Sequence, residues 1–187
     1  MTGRGREMTV LWRRLDRRGH DAAFLGPQRG GWRLKGAAVF LHESGPACVA
    51  YDVEADASWI TKNGRITGFI GDRPIDEVIR REPDGWTLNG AAVSGLAHLK
   101  DLDLSFTPAT NLLQLRRASP KLNKTVSLPA AWFDLDNATL AELPQVYERV
   151  GETTYRYIAP TIPYEATLEV SADGFIADYP GLWMREA

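Results

Sequence analysis

Period-two alternation broken by tight-turn residues is the feature that most limits what this chain can become. From Tyr164 to Val170, the residues Tyr164, Ala166, Leu168 and Val170 alternate with Glu165, Thr167 and Glu169. Such a pattern puts one set of side chains on each face of a strand and half-buries it. Cys48–Val53, Arg65–Ile70, Val146–Val150 and Thr153–Ile158 alternate in the same way and are rich in β-branched and aromatic residues. Between such segments stand Lys62-Asn63-Gly64, Pro83-Asp84-Gly85, Leu88-Asn89-Gly90 and Ala172-Asp173-Gly174. Each offers a residue that tolerates positive φ, as hairpin turns require.

Strands joined by short turns neighbour one another, so the expected fold is mainly β: a single curled antiparallel sheet, a roll or open half-barrel, with one or two short helices. The helices are expected at Asn137–Leu143, where Asn137 caps and Pro144 stops the turn, and more weakly around Ala91–Leu99. With 187 residues, 44% of them apolar, the chain has enough material for one continuous core. Residues 1–9 are expected to fray and 10–187 to form one domain.

Charge narrows the function. Lys and Arg number 22 against 24 Asp and Glu, a net of -2, which gives no general attraction to nucleic acid or anionic membrane. The local exception is Arg4, Arg6, Arg13, Arg14, Arg17 and Arg18, read as a solvated basic face. The single cysteine, Cys48, excludes an internal disulfide and reads as core. No apolar run approaches the roughly 20 residues of a membrane helix, and no export leader is read at the start, so a cytoplasmic protein is expected.

Signs of catalysis are weak. Asp101 and Asp103 lie one residue apart, which on a strand directs both carboxylates to one face; that suits a divalent metal, and equally a polar strand face or a turn. Asp134 and Asp136 repeat the spacing. His20, His42 and His98 are scattered, so no metal site is proposed. Ser94 lacks the upstream glycine of a nucleophile elbow, and Gly26, Gly30 and Gly31 do not spell a phosphate loop. More suggestive are the rings and arginines of the C-terminal half. Arg116, Arg117, Trp132, Tyr147, Arg149, Tyr157 and Trp183 are the candidate ligand-binding residues, with Tyr155 beside them. Flat rings stack on sugars or line acyl chains, and guanidinium groups take phosphate or carboxylate in forked pairs. The same residues also serve as core anchors and rim charges.

Several motifs carry a resemblance. Asp101-Leu-Asp-Leu-Ser-Phe-Thr-Pro-Ala-Thr-Asn111 with Leu115-Arg116-Arg117 comes first, then Gln145-Val-Tyr147-Glu-Arg149, Tyr155-Arg-Tyr157 and Asp178-Tyr-Pro-Gly-Leu-Trp183. Upstream stand Trp12 with Arg13, Tyr51 with Val53, and Trp59-Ile-Thr61. In this order, from about Val10 to Arg185, they resemble the bacterial putative glycolipid-binding family. Within that family's T-N-T-L-P-I-R-R stretch this chain has Leu112 and Gln114 for the second threonine and the proline. The resemblance implies a spiral β-roll similar to half-barrel carriers of lipidated proteins and glycolipids. It implies a lipid or glycolipid partner, no cofactor, and no catalytic residue to carry over.

Three functions are compatible with these residues. One is a non-enzymatic binder that holds a lipid or glycolipid in the concave face or a cavity of the curled sheet. The second is a hydrolase-like enzyme using Asp101 and Asp103, or Tyr147 with Arg149. The third is a protein-interaction module using a sheet edge or apolar patch.

Overall fold

The computed structural model describes residues 7–187. Eight strands open the chain: β1 (Met8–Arg14), β2 (Gly19–Gln28), β3 (Gly31–His42), β4 (Gly45–Asp56), β5 (Thr61–Ile70), β6 (Arg73–Glu82), β7 (Gly85–Leu88) and β8 (Ala91–Val93). A central segment follows with β9 (Leu102–Leu104), the helix α1 (Asn111–Ala118), β10 (Thr125–Ser127), β11 (Ala130–Asp134) and β12 (Thr139–Leu143). The chain ends in β13 (Val146–Arg149), β14 (Thr154–Ala159), β15 (Tyr164–Val170), β16 (Ile176–Tyr179) and β17 (Trp183–Arg185). Of the tail expected over residues 1–9, residues 1–6 lie outside the described residues, and Met8 and Thr9 belong to β1.

Fourteen strands form one sheet in the order β10-β13-β14-β15-β16-β17-β1-β2-β3-β4-β5-β6-β7-β8. It is two meanders sewn together where β17 pairs antiparallel with β1, Trp12 opposite Arg185 and Arg14 opposite Trp183. The sheet curls without closing, the mainly β architecture that the alternation predicts. On β4 the inward set is Ala47, Val49, Tyr51, Val53 and Ala55, all buried, while the residues between them are partly exposed. Cys48 belongs to the outward set, which corrects its reading as core.

The concave face is filled by the chain's own middle. Here β12, β11 and β9 make a separate three-stranded sheet, with β9 parallel to β11. Every residue of β9 is buried. A Cβ on Gly64 of β5 would sit 2.5 Å from Leu102 Cδ2, so the small sheet rests directly on the large one. That contact explains one correction: Lys62-Asn63-Gly64 is not a turn but runs inside β5, its glycine admitting Leu102. The other three turn signals do separate strands, with Asn89 (φ 52) and Gly90 (φ 82) both left-handed between β7 and β8.

Among the described residues the one α-helix is elsewhere than expected. Asn137–Leu143 forms a turn and then β12; Asp134 accepts hydrogen bonds from the Asp136 N–H and from Asn137 Nδ2, and Ala138 takes φ 50. Ala91–Leu99 gives β8 and turns. Instead α1 spans Asn111–Ala118. Leu112, Leu113 and Leu115 bury, Arg116 and Arg117 complement the negative C-terminal end, and Ser119 in the left-handed region donates its N–H to the Leu115 carbonyl before Pro120 stops the turn.

Candidate functional site

One face of α1 meets the paired acids Asp101, just before β9, and Asp103, within it. Spacing i, i+2 before and along a strand matches i, i+3 along a helix, so Asp101 reaches Arg117 and Asp103 reaches Gln114. Arg117 forks onto Asp101 with Nε–Oδ1 at 2.9 Å and Nη2–Oδ2 at 2.6 Å, and the carboxylate is fully buried. Both oxygens of Asp101 are thereby occupied, which leaves no pair of free carboxylates for acid–base work. Asp103 accepts through Oδ2 from Gln145 Nε2 (2.7 Å) and, at 3.5 Å, Gln114 Nε2. Behind it the buried Tyr147 hydroxyl accepts from Asn111 Nδ2 at 2.8 Å. Burial pushes the Asp103 carboxyl up to about 6, against the pull of the two glutamines. It drives the Tyr147 and Tyr179 hydroxyls well above their ordinary range.

Asp103 also lines a small inner pocket of about 100 Å³ at the N-terminal end of α1, with Asn111, Trp132, Tyr157, Tyr179 and Trp183. Bulk water occupies roughly 30 Å³ per molecule, so this space holds a few waters or one small polar group.

The opposite, C-terminal end of α1 opens on a groove of about 570 Å³ at the rim of the roll. Leu115, Tyr155 and Val170 supply its apolar lining, and Arg116 and Arg149 its charge. Arg149 is held by three carbonyls, those of Gly151, Pro120 and Glu152. Arg116 donates from Nη2 to the Asp173 carbonyl at 2.7 Å and lies 5.8 Å from the Trp59 ring centre. Neither guanidinium has a carboxylate within ion-pair distance among the described residues, although Glu152 also lines the groove. Trp59 is held at φ 66, a region bulky residues avoid, by a turn in which Asp56 Oδ1 accepts from the N–H groups of Ser58 and Ile60. Its indole stacks on Trp32, centroids 4.3 Å apart and planes 12° from parallel.

The sequence profile of the family described as putative glycolipid-binding matches residues 9–185. The chain belongs to this family. A solved structure of a DUF1089 family protein from Pseudomonas aeruginosa shares the fold, with TM-score 0.77 at 21% identity over 89% of this chain and 92% of that one. Comparison with curated proteins gives no significant match.

The motifs from Asp101 onward meet around α1, whereas Trp12 packs on Phe175 and Tyr51 bonds Asp21, and the candidate residues divide between the two ends of the helix. Trp132, Tyr157 and Trp183 line the inner pocket, and Tyr147 stands behind it. Arg116 and Arg149 line the rim groove with Tyr155. Arg117 is committed to Asp101. Sequence reasoning did not single out Asn111, Gln114, Gln145, Tyr179 or Trp59 as site residues. Asn111, Gln145 and Tyr179 stand inside the quoted motifs, which was the available signal; Trp59 was marked only by its motif, and its backbone conformation is invisible in the sequence. Among the described residues, no cluster of His, Cys, Asp and Glu could hold a metal ion, and no helix is long and apolar enough to cross a membrane.

Proposed function

We propose that this member of the glycolipid-binding family is a non-enzymatic binder that takes a lipid or glycolipid in the rim groove. The reading rests on one combination: two anchored guanidinium groups that have no carboxylate partner among the described residues, beside the apolar surface of Leu115, Tyr155 and Val170. An amphiphile matches both, its polar headgroup on Arg116 and Arg149 and its apolar part on the floor. Size favours the groove over the inner pocket. Ligand sites usually occupy about 300–1,000 Å³, and the groove's 570 Å³ lies in that range while 100 Å³ does not. The concave face itself is occupied by β9, α1, β11 and β12, which leaves the rim groove as the larger of the two spaces at the ends of α1. The strained Trp59 fits a wall shaped for a ligand, since such conformations persist where surrounding structure imposes them. Each Å² of apolar ligand buried contributes roughly 25 cal/mol, from which ordering losses are subtracted.

Native mass spectrometry of protein purified without detergent from its natural source tests this. The expected result is a stoichiometric lipid or glycolipid adduct that Arg116→Glu removes while the protein stays folded with only a small fall in thermal midpoint, because Arg116 is exposed and loses one carbonyl hydrogen bond and its place at the helix C-terminus. An apo mass, or an adduct retained in the variant, would overturn the assignment.

A further inference from the structure

Beyond Trp132 lies a second cleft, in which a buried cation lacks a full set of partners. Arg14 of β1 has a side chain only 10% exposed. Its Nε and Nη2 donate to Asp16 at 2.7 and 3.1 Å, and its guanidinium lies against the rings of Phe40 (4.7 Å) and Trp183 (5.0 Å). Nη1, on the edge away from Asp16, is buried and meets no acceptor among the described residues. Native structures seldom leave such a donor unpartnered; a water or a ligand supplies the acceptor. Arg14 and Arg17 line the cleft, about 300 Å³, with Phe40, Ser105 and Trp132. Asp134 and Asp136 line it too, and both are engaged: Asp134 accepts from the Asp136 N–H and Asn137, and Asp136 lies 3.1 Å from His42.

Ser105 and Trp132 are walls common to this cleft and the inner pocket, so the two spaces adjoin. In the inner pocket, Asp103 receives its hydrogen bonds on Oδ2, and neither Asp103 Oδ1 nor the Asn111 amide oxygen has a donor among the described residues. Along one path the structure therefore places a pair of guanidinium groups, two flat indoles and two open oxygen acceptors. We propose that cleft and pocket form a second binding site, for a small hydroxyl-rich anion of the sugar phosphate or sugar acid class. Arg14 and Arg17 take the anionic group, Trp132 and Trp183 face the C–H surface of the sugar, and Asp103 and Asn111 accept its hydroxyls. No lining residue is shared with the rim groove at the other end of α1, so this site stands or falls independently of the lipid reading.

The test titrates the purified protein with glucose 6-phosphate, glucuronate, glucose and inorganic phosphate, following tryptophan fluorescence and the thermal midpoint. Saturable binding of at least one sugar anion is expected, with glucose and phosphate each weaker by about ten-fold or more, as when a charge-assisted hydrogen bond is lost. Arg17→Gln should weaken the sugar anion by a similar factor and still fold, since Arg17 is one-third exposed; Arg116→Glu should leave it unchanged. The proposal fails if neither sugar anion binds saturably, if inorganic phosphate binds as tightly, or if Arg17→Gln and a folded Arg14→Gln both bind like the parent.

Discussion

Asp101 and Arg117 form a forked ion pair whose carboxylate has no exposure to solvent, and that pair locks α1 against β9. A buried carboxylate is tolerable only while its partner remains. Arg117→Ala should therefore cost about 3–5 kcal/mol, and Arg117→Lys should recover little of it, because an ammonium cannot reproduce the fork. Asp101→Asn combined with Arg117→Met should recover most. Urea unfolding of the four proteins measures this, and an Arg117→Ala midpoint equal to the parent's would show that α1 is held by its leucines alone.

Stability should depend on pH through two buried acids. Burial raises Asp21 as well as Asp103 to about 6, even though Thr107 and Tyr51 donate to Asp21. A raised folded-state value means the native protein holds protons that the unfolded chain, near 3.8, has released. Their contribution is thus fully present below the unfolded value and lost as pH rises through about 6. A shift of some two units corresponds to about 3 kcal/mol per group. Asp21→Asn, which keeps an acceptor for Tyr51, should gain on the parent by about that much between roughly pH 4 and pH 7. Urea midpoints across the range read it; a difference flat in pH would mean that Asp21 titrates alike in both states.

The elements readable from sequence are those with a local cause. Tyr164–Val170 forms β15 because its alternation is set by one solvent face and one core face. Tyr155 and Tyr157 share the inward face as period two requires. The helix escaped because Asn111 and Gln114 occupy positions that bury, so its 3.6-residue stripe reads as polar; their burial is offset by Tyr147 and Asp103, which arrive from elsewhere. Cys48 was misread for a related reason, since strand parity is fixed by Tyr51 reaching Asp21 and not by the local run of small residues. Of the candidate residues, the sequence supplied the types but not the partition between the two ends of α1, which depends on contacts made across the whole chain.

Gly36 is where the sheet admits Tyr51. A Cβ there would lie 2.2 Å from the Tyr51 hydroxyl oxygen and 2.6 Å from the Ala22 carbonyl oxygen. Gly36→Ala should displace the phenol from Asp21 and cost about 2–5 kcal/mol, combining overpacking with a lost buried hydrogen bond. The cost should shrink in a Tyr51→Ala background, where the hydroxyl oxygen and the ring carbon Cζ, 2.3 Å from the added Cβ, are both gone. Additive effects in that double-mutant cycle would locate the strain in the backbone instead.

Trp12 crosses the seam between the two meanders. It has no exposure, its Nε1 donates to the Ile176 carbonyl at 2.6 Å, and its ring meets Phe175 edge-on at 5.5 Å. In the large sheet β1 pairs with β17 at the single junction joining β1–β8 to β13–β17, and the central segment packs against both. Trp12→Ala should cost about 3–5 kcal/mol, and because the halves share one core the loss should appear everywhere at once. Far-ultraviolet circular dichroism and tryptophan fluorescence should then report coincident unfolding in the parent and in the variant. Were the variant instead to unfold in two separated steps, the meanders would be distinct cooperative units, and 10–187 would have to be divided at the β17–β1 seam.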